Sequence, residues 1–284
     1  IISDKIISEF NAFLLTIDIE INLDIEKEFI EVKEMLEKQK ISINPKSGNI
    51  SYNYPPNHLI KDFSDLHDVK IRVGALSQDA TNKLKYHASW SGDGLVNEYM
   101  GKCQVVRNGS FDMVDALSGY ETLVIDGIDY EAFHTSGGIG TFAETLADRN
   151  IAGVNADYKT VRRVGHHQYV DFLFNDLKLP QDVLTDMFKK YIPTTRKDQV
   201  LLYAAAGGYT GNEISYQTRT YDMMFKPSFI FGQTYTAIEY TTACGILSMV
   251  ELFLDGKLPK EGYVRQESVS WEDASSTSFG RFYR

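Results

Sequence analysis

Cysteine is nearly absent: the chain of 284 residues holds two, Cys103 and Cys244, far apart and in no CxxC spacing. That excludes a disulfide framework, and both read as reduced, partly buried thiols of a cytosolic protein. Basic residues are in deficit, 29 against 39 acidic, and the formal net charge of −10 repels phosphate backbones and argues against general nucleic-acid binding. Long hydrophobic runs are missing too, since none approaches the roughly 20 apolar residues of a membrane-spanning helix. No secretion signal opens the chain. The six histidines include one adjacent pair, His166-His167, whose side chains project in different directions, so a metal site is not expected. No GxGxxG occurs anywhere, so a dinucleotide-binding loop cannot be assigned. No methionine precedes Met35, and a chain opening on Ile1 is expected to be a piece of something longer.

What is present is ordinary globular material. Apolar residues make up 43% and charged residues 24%, and the length suits one large or two modest domains. Residues 14–25 alternate apolar and polar side chains with the period of a strand, and 26–40 carry Phe29, Val32, Met35 and Leu36 at helical spacing. The Pro-, Gly-, Asn- and Ser-rich stretch 44–58 is the best internal boundary, which divides the chain into 1–60, a segment of uncertain origin, and 61–284. Strand-like stretches follow at 68–76, 83–91, 102–109, 121–133, 158–164, 199–209 and 213–223, and helical patterns at 139–147, 167–177, 183–191 and 236–254. Strands outnumber helices and often follow one another directly. The expected architecture is α+β, a mixed and largely antiparallel sheet with helices on one face. Gly207-Gly208 with Gly211 read as a hairpin turn, and Gly92 with Gly94 as a turn after Trp90.

Local chemistry concentrates in two places. The run His134-Thr135-Ser136-Gly137-Gly138 leads from a strand toward a helix, and such a turn exposes backbone N–H groups that attract a carboxylate or phosphate, with Thr135 and Ser136 adding hydroxyls. Ordinary helix capping explains the same residues. Arg162 and Arg163 sit on one short strand and point to opposite faces, so that one can face a cleft and hold a carboxylate through its guanidinium fork. His166 follows as a second anion donor or a helix-capping residue, and Asp93, Glu98 and Glu144 are carboxylates available for acid–base work.

In order along the chain, VGAL (73–76), LKYHASWSGDGLVNEY (84–99), YEAFHTSGGIGTFAETL (130–146), YKTVRRVGHHQYVDFLFNDLKL (158–179), TAIEYTTACGILSMVELFLDGKLPKEGYVRQESVS (236–270) and the terminal FGRFYR resemble the C-terminal domain of saccharopine dehydrogenase-like oxidoreductases. The resemblance implies a two-part enzyme, with an NAD(P)-binding Rossmann domain and a substrate-binding domain that mediates homodimer formation. The implied reaction is reversible C–N bond formation, in which an amine condenses with a carbonyl compound and nicotinamide hydride reduces the imine. Relatives act on lysine-type and carboxynorspermidine-type substrates.

By this resemblance Trp90, Gly92, Thr135, Ser136, Gly137, Arg162 and His166 line a pocket for an amino-acid-derived carboxylate, with Arg162 as the carboxylate ligand. The family's TLRYPGH-like run reads TVRRVGH here, so Arg163 replaces an aromatic and the pocket is expected to be altered. NAD or NADP belongs to the intact enzyme and is not expected on this chain alone, which is expected to be inactive in the cytoplasm without its cofactor half. The competing expectation is a ligand-binding or scaffold protein without redox activity.

Overall fold

The computed structural model describes residues 54–284 except 150, 212, 213, 231 and 260. The strand expected at 14–25 and the helix expected at 26–40 lie outside the described residues. An eight-stranded sheet organises the rest, in the order β3 (Ser110–Asp115), β2 (Lys102–Arg107), β6 (Asn155–Arg163), β1 (Asp65–Ser77), β7 (Asp198–Tyr209) and β8 (Gln217–Phe225). A hairpin of β4 (Glu121–Ile125) and β5 (Ile128–Phe133) joins through β5. Only the β1–β6 pair is parallel among these ladders, so the sheet is mixed and largely antiparallel. The outer edge of β6 is shared: Ala156 pairs with Val106 of β2, and Thr160–Arg163 pair with Phe133–Tyr130 of β5.

Period-two alternation decides what each face carries. Val69, Ile71 and Val73 of β1 lie with Val200, Leu202, Ala204 and Ala206 of β7 and with Ala156 and Tyr158 of β6. Onto this face pack Phe142, Ala143 and Leu146 of α3 (Phe142–Asp148) and Ala237, Tyr240 and Cys244 of α6 (Ala237–Leu254). Each such side chain contributes ~1.5–3 kcal/mol on leaving water. At the other end of the face, α2 (Gly92–Glu98), α4 (His166–Asp171) and α5 (Gln181–Tyr191) enclose a second core of Tyr86, Leu95, Val96, Tyr99, Phe133, Val170, Leu184 and Phe188. Two more short helices lie among the described residues: α1 (Tyr54–Leu59), whose Leu59 joins the first core, and α7 (Trp271–Ser276). The expected α+β arrangement with helices on one face is the one observed.

The opposite face is partly roofed by the hairpin. Leu123 and Ile125 of β4 pack on Leu76, Val161 and Leu201, while Glu121 accepts hydrogen bonds from Arg72 Nε and from Lys159 Nζ at 2.9 Å. Asp157 accepts from Arg72 at 2.7 Å and from His134 at 3.1 Å. Burial alone would raise the Asp157 carboxyl, but His134, Arg72 and Lys159 together hold it below the ordinary range.

Several local expectations are corrected. Residues 83–91 form no ladder strand, only an isolated bridge between Ala88 and Thr194. The Asn82 side chain bonds both backbone groups of Tyr86, and Lys85 has φ +54°, which turns the chain instead of extending it. The stretch 121–133 is two strands, folded at Asp126-Gly127, both with positive φ. The hairpin expected around Gly207, Gly208 and Gly211 is the antiparallel β7–β8 pair, with Gly207 and Gly208 inside β7 and Gly211 in the connection; a Cβ on Gly208 would fall 2.2 Å from the Asp65 carbonyl, so close pairing explains that glycine. Gly92 and Gly94 lie inside α2, where a Cβ on Gly94 would sit 2.5 Å from the Trp90 ring. One helix, Ala237–Leu254, is long and apolar enough by length and composition to cross a membrane, and here its inner side packs on the sheet. Its N-terminus is closed by a capping box between Thr236 and Glu239 and by Asp198, which accepts from the Ala237 and Ile238 N–H groups.

Candidate functional site

The end of the sheet covered by α2, α4 and α5 gathers most of the residues singled out from sequence. Arg162 and Arg163 leave β6 on opposite faces, as expected. Arg163 lies 5.0 Å over the Tyr130 ring on the hairpin side. The residue that replaces the family aromatic therefore points to the face opposite Arg162.

Arg162 is 2% exposed and sits in a cage of rings, 5.2 Å from the Tyr86 centroid and 5.7 Å from that of Tyr99. Its Nε donates to the Tyr99 hydroxyl at 2.9 Å and its Nη1 to the Val161 carbonyl at 3.0 Å. Nη2 faces Glu98, 3.7 Å from the nearest carboxylate oxygen. Trp90 stands beside this group, its indole N–H donating to the Tyr86 hydroxyl at 3.0 Å.

Proton positions follow from the partners. The Leu84 carbonyl can only accept, so His166 Nδ1, 2.9 Å away, donates to it. Burial and the neighbouring Arg162 push the His166 ring down to about 3, so it is neutral and Nε2 accepts from the Tyr99 hydroxyl at 2.9 Å. The Tyr99 oxygen is thereby free to accept from Arg162. One directed chain runs from Arg162 through Tyr99 and His166 to the Leu84 carbonyl, with every donor matched. His166 thus acts as a neutral link, and the N-cap of α4 is Gly165, with φ +100°. The anion at that N-terminus is the buried Glu131, which accepts from the Gly165 N–H at 2.8 Å and from the His167 N–H.

Glu98 is the titratable group of interest. Burial raises it and Arg162 lowers it, leaving the carboxyl at about 7. Its backbone carbonyl accepts from the Ser136 N–H at 2.9 Å, and the Ser136 hydroxyl donates to the Asn97 carbonyl at 2.8 Å. Thr135 and Thr160 share a hydrogen bond of 2.6 Å. The Thr135 and Ser136 hydroxyls and the Ser136 N–H are therefore spent on tying that turn to α2 and β6. Gly137 adopts φ +86° with open space at its Cβ position, while a Cβ on Gly138 would fall 2.0 Å from the Tyr158 ring. Gly92 abuts Lys189 of α5, which pairs with Asp93 at 2.7 Å on the outer surface. Glu144 pairs with Arg265 at 3.4 Å, away from this cluster.

Sequence reasoning missed Tyr86 and Tyr99, which build the cage; the aromatic bracket YHASW…NEY around the site was the available signal. It also gave no hint of a line from Ser118 through His134 to Asp157, at 3.2 and 3.1 Å. The Ser118 hydroxyl lies 2.5 Å from the Asp115 carbonyl, which takes its only hydrogen, so His134 does not activate it as a nucleophile. Among the described residues no group of three or more His, Cys, Asp and Glu side chains is placed to hold a metal.

The described residues are not expected to hold a nicotinamide nucleotide, and no GxGxxG loop occurs among them. Two of the helix N-termini are closed by protein carboxylates, Glu131 at α4 and Asp198 at α6. At α3, Thr141 and Thr145 hydroxyls are held by the buried Glu267 at 2.9 and 2.5 Å.

Residues 57–279 match the family described as saccharopine dehydrogenase C-terminal domain. Among solved structures, apo histidine-tagged saccharopine dehydrogenase (L-Glu forming) from Saccharomyces cerevisiae aligns with a TM-score of 0.56 at 14% identity, over 80% of this chain and 67% of that chain. At that identity the likeness is one of fold.

Proposed function

The chain belongs to the saccharopine dehydrogenase C-terminal domain family, an oxidoreductase-type domain, and from that premise we propose that it is the substrate-binding part of an NAD(P)-dependent enzyme acting on C–N bonds of amino-acid-derived substrates. Arg162 is the observation that supports this reading most directly. A guanidinium fixed by Tyr99 and Val161 and stacked between two rings keeps its charge and its orientation, with Nη2 turned toward Glu98. Such a cation binds a carboxylate without having to reorganise, which is what a substrate amino acid requires. Hydride chemistry belongs to the nicotinamide when bound. The residues here bind and orient the carboxylate, while Trp90, Tyr86 and Tyr99 keep water from the guanidinium. Saccharopine, and L-glutamate as its fragment, are the substrate class that fits. The reading extends to a homodimer in the cytoplasm, supported by the family resemblance and by two buried, unpaired cysteines.

The test is calorimetric titration of the whole chain with saccharopine and with L-glutamate. Arg162→Ala is expected to weaken binding by more than about tenfold, and Arg162→Lys, which keeps the charge and loses the fork, by a smaller factor. Unchanged affinity in both variants removes Arg162 from the site.

A further inference from the structure

Glu98 breaks two local rules at once. It is a carboxylate at the last residue of α2, where helix carbonyls already concentrate negative charge, and its side chain is only 20% exposed. A residue so placed needs a reason, and the one partner it has is Arg162 Nη2. That contact is an ion pair at 3.7 Å and is too long for a hydrogen bond. The guanidinium's other two nitrogens are bound at 2.9 and 3.0 Å to Tyr99 and Val161. The edge of Arg162 that would grip a carboxylate in a short fork is therefore faced by a carboxylate that stands off from it.

We propose that Glu98 is an internal stand-in for the ligand carboxylate: it neutralises Arg162 until a small carboxylate ligand binds, and then gives up that role by taking up a proton. This inference rests on the reading of Arg162 given above. Two carboxylates beside one guanidinium cannot both stay ionised without cost, so the incoming one drives the other toward its neutral form. The groups facing Glu98 are few. Arg162 comes from β6, Tyr86 from the loop before α2, Tyr99 from the next position, and the neutral His166 lies behind Tyr99 on α4. None of these except Glu98 changes charge between about pH 6 and 8, because His166 stays neutral and burial raises both tyrosines. Binding is then coupled to proton uptake, and affinity declines as pH rises above about 7.

The experiment titrates wild type, Glu98→Gln and Arg162→Ala with saccharopine at pH 6 and pH 8, in two buffers of different ionisation enthalpy. Wild type is expected to bind with net proton uptake at pH 8 and to lose up to about tenfold in affinity between the two pH values. Glu98→Gln is expected to bind at least about fivefold tighter than wild type at pH 8, with no uptake and a flat pH dependence. Glu98→Ala serves as a second variant and should behave like the glutamine. If Arg162→Ala abolishes binding while both Glu98 variants bind with wild-type affinity and pH dependence, the stand-in role is overturned and the reading of Arg162 survives. If neither wild type nor the Glu98 variants bind, both fall together.

Discussion

Glu131 and Arg162 face each other as register partners across the β5–β6 ladder, each about 2% exposed and of opposite charge, yet each spends its charge on different groups. Glu131 takes the N–H groups of Gly165 and His167, and Arg162 takes Tyr99, Val161 and the edge toward Glu98. The strand pair thereby fixes α4 with its acid and the candidate site with its base. Since both charges are buried, neither can be removed cheaply.

Glu131→Ala is expected to cost roughly 2–4 kcal/mol, because two half-buried N–H groups lose their charged acceptor and a buried guanidinium loses a neighbouring anion. Glu131→Gln keeps one acceptor oxygen and should cost distinctly less. Urea unfolding of the three proteins measures both, and a loss below about 1 kcal/mol in the alanine variant would refute the assignment of Glu131 as the cap of α4.

Two neighbouring glycines should respond for different reasons. At Gly138 a methyl group would penetrate the Tyr158 ring, so Gly138→Ala is expected to cost ~1–3 kcal/mol through displaced packing. At Gly137 the space is open and the cost is the φ of +86°, about 1 kcal/mol. Replacing Tyr158 with leucine should recover part of the first loss and none of the second. Equal recovery at both positions would contradict the model of a ring seated on Gly138.

The sheet and its helices were legible because burial follows period: β1, β6 and β7 alternate against one core, and α5 and α6 carry their own patterns. Arg162 could be chosen over Arg163 only by resemblance, since alternation says that the two diverge and not which faces the site. The strand expected at 83–91 failed for a physical reason. Tyr86 and Trp90 alternate as strand residues do, but both rings are drawn into the Arg162 cage, and Asn82 turns the backbone there. Glu98 looked like any exposed carboxylate, since nothing local announces a guanidinium arriving from a strand more than sixty residues later. In the 134–138 turn the Ser136 N–H and hydroxyl are taken by α2 carbonyls, which sequence spacing does not place beside it.

Two groups in the site should pull stability in opposite directions with pH. The His166 ring lies at about 3 in the fold against an ordinary 6.5, so stability is lost as pH falls from 6.5 toward 3, where the unfolded chain binds a proton that the fold refuses. The Glu98 carboxyl lies at about 7 against an ordinary 4.5, so stability is lost as pH rises from 4.5 to 7. Between about 4.5 and 6.5 the two slopes oppose, each by at most ~1.4 kcal/mol per pH unit. Unfolding free energies measured at pH 5 and 6.5 should rise with pH more steeply in Glu98→Gln than in wild type, and less steeply, or with reversed sign, in His166→Gln. Parallel curves for all three would mean that neither group is held as described.

Tyr99→Phe tests the directed chain itself. The ring, and with it the stacking on Arg162, Phe133 and Phe174, is retained, and only the oxygen between Arg162 Nε and His166 Nε2 is lost. Two buried polar groups are then left without partners, which is expected to cost ~2–4 kcal/mol of stability. Because Nε no longer anchors the guanidinium, affinity for saccharopine should fall severalfold even at temperatures where the variant is fully folded. Tyr99→Phe combined with His166→Phe removes that orphan nitrogen but also takes the donor from the Leu84 carbonyl, so stability is not expected to recover and the affinity loss should remain, since Arg162 is still unanchored. If affinity and stability instead recover together, or if the single variant binds as wild type does, Tyr99 only packs the core and does not position Arg162.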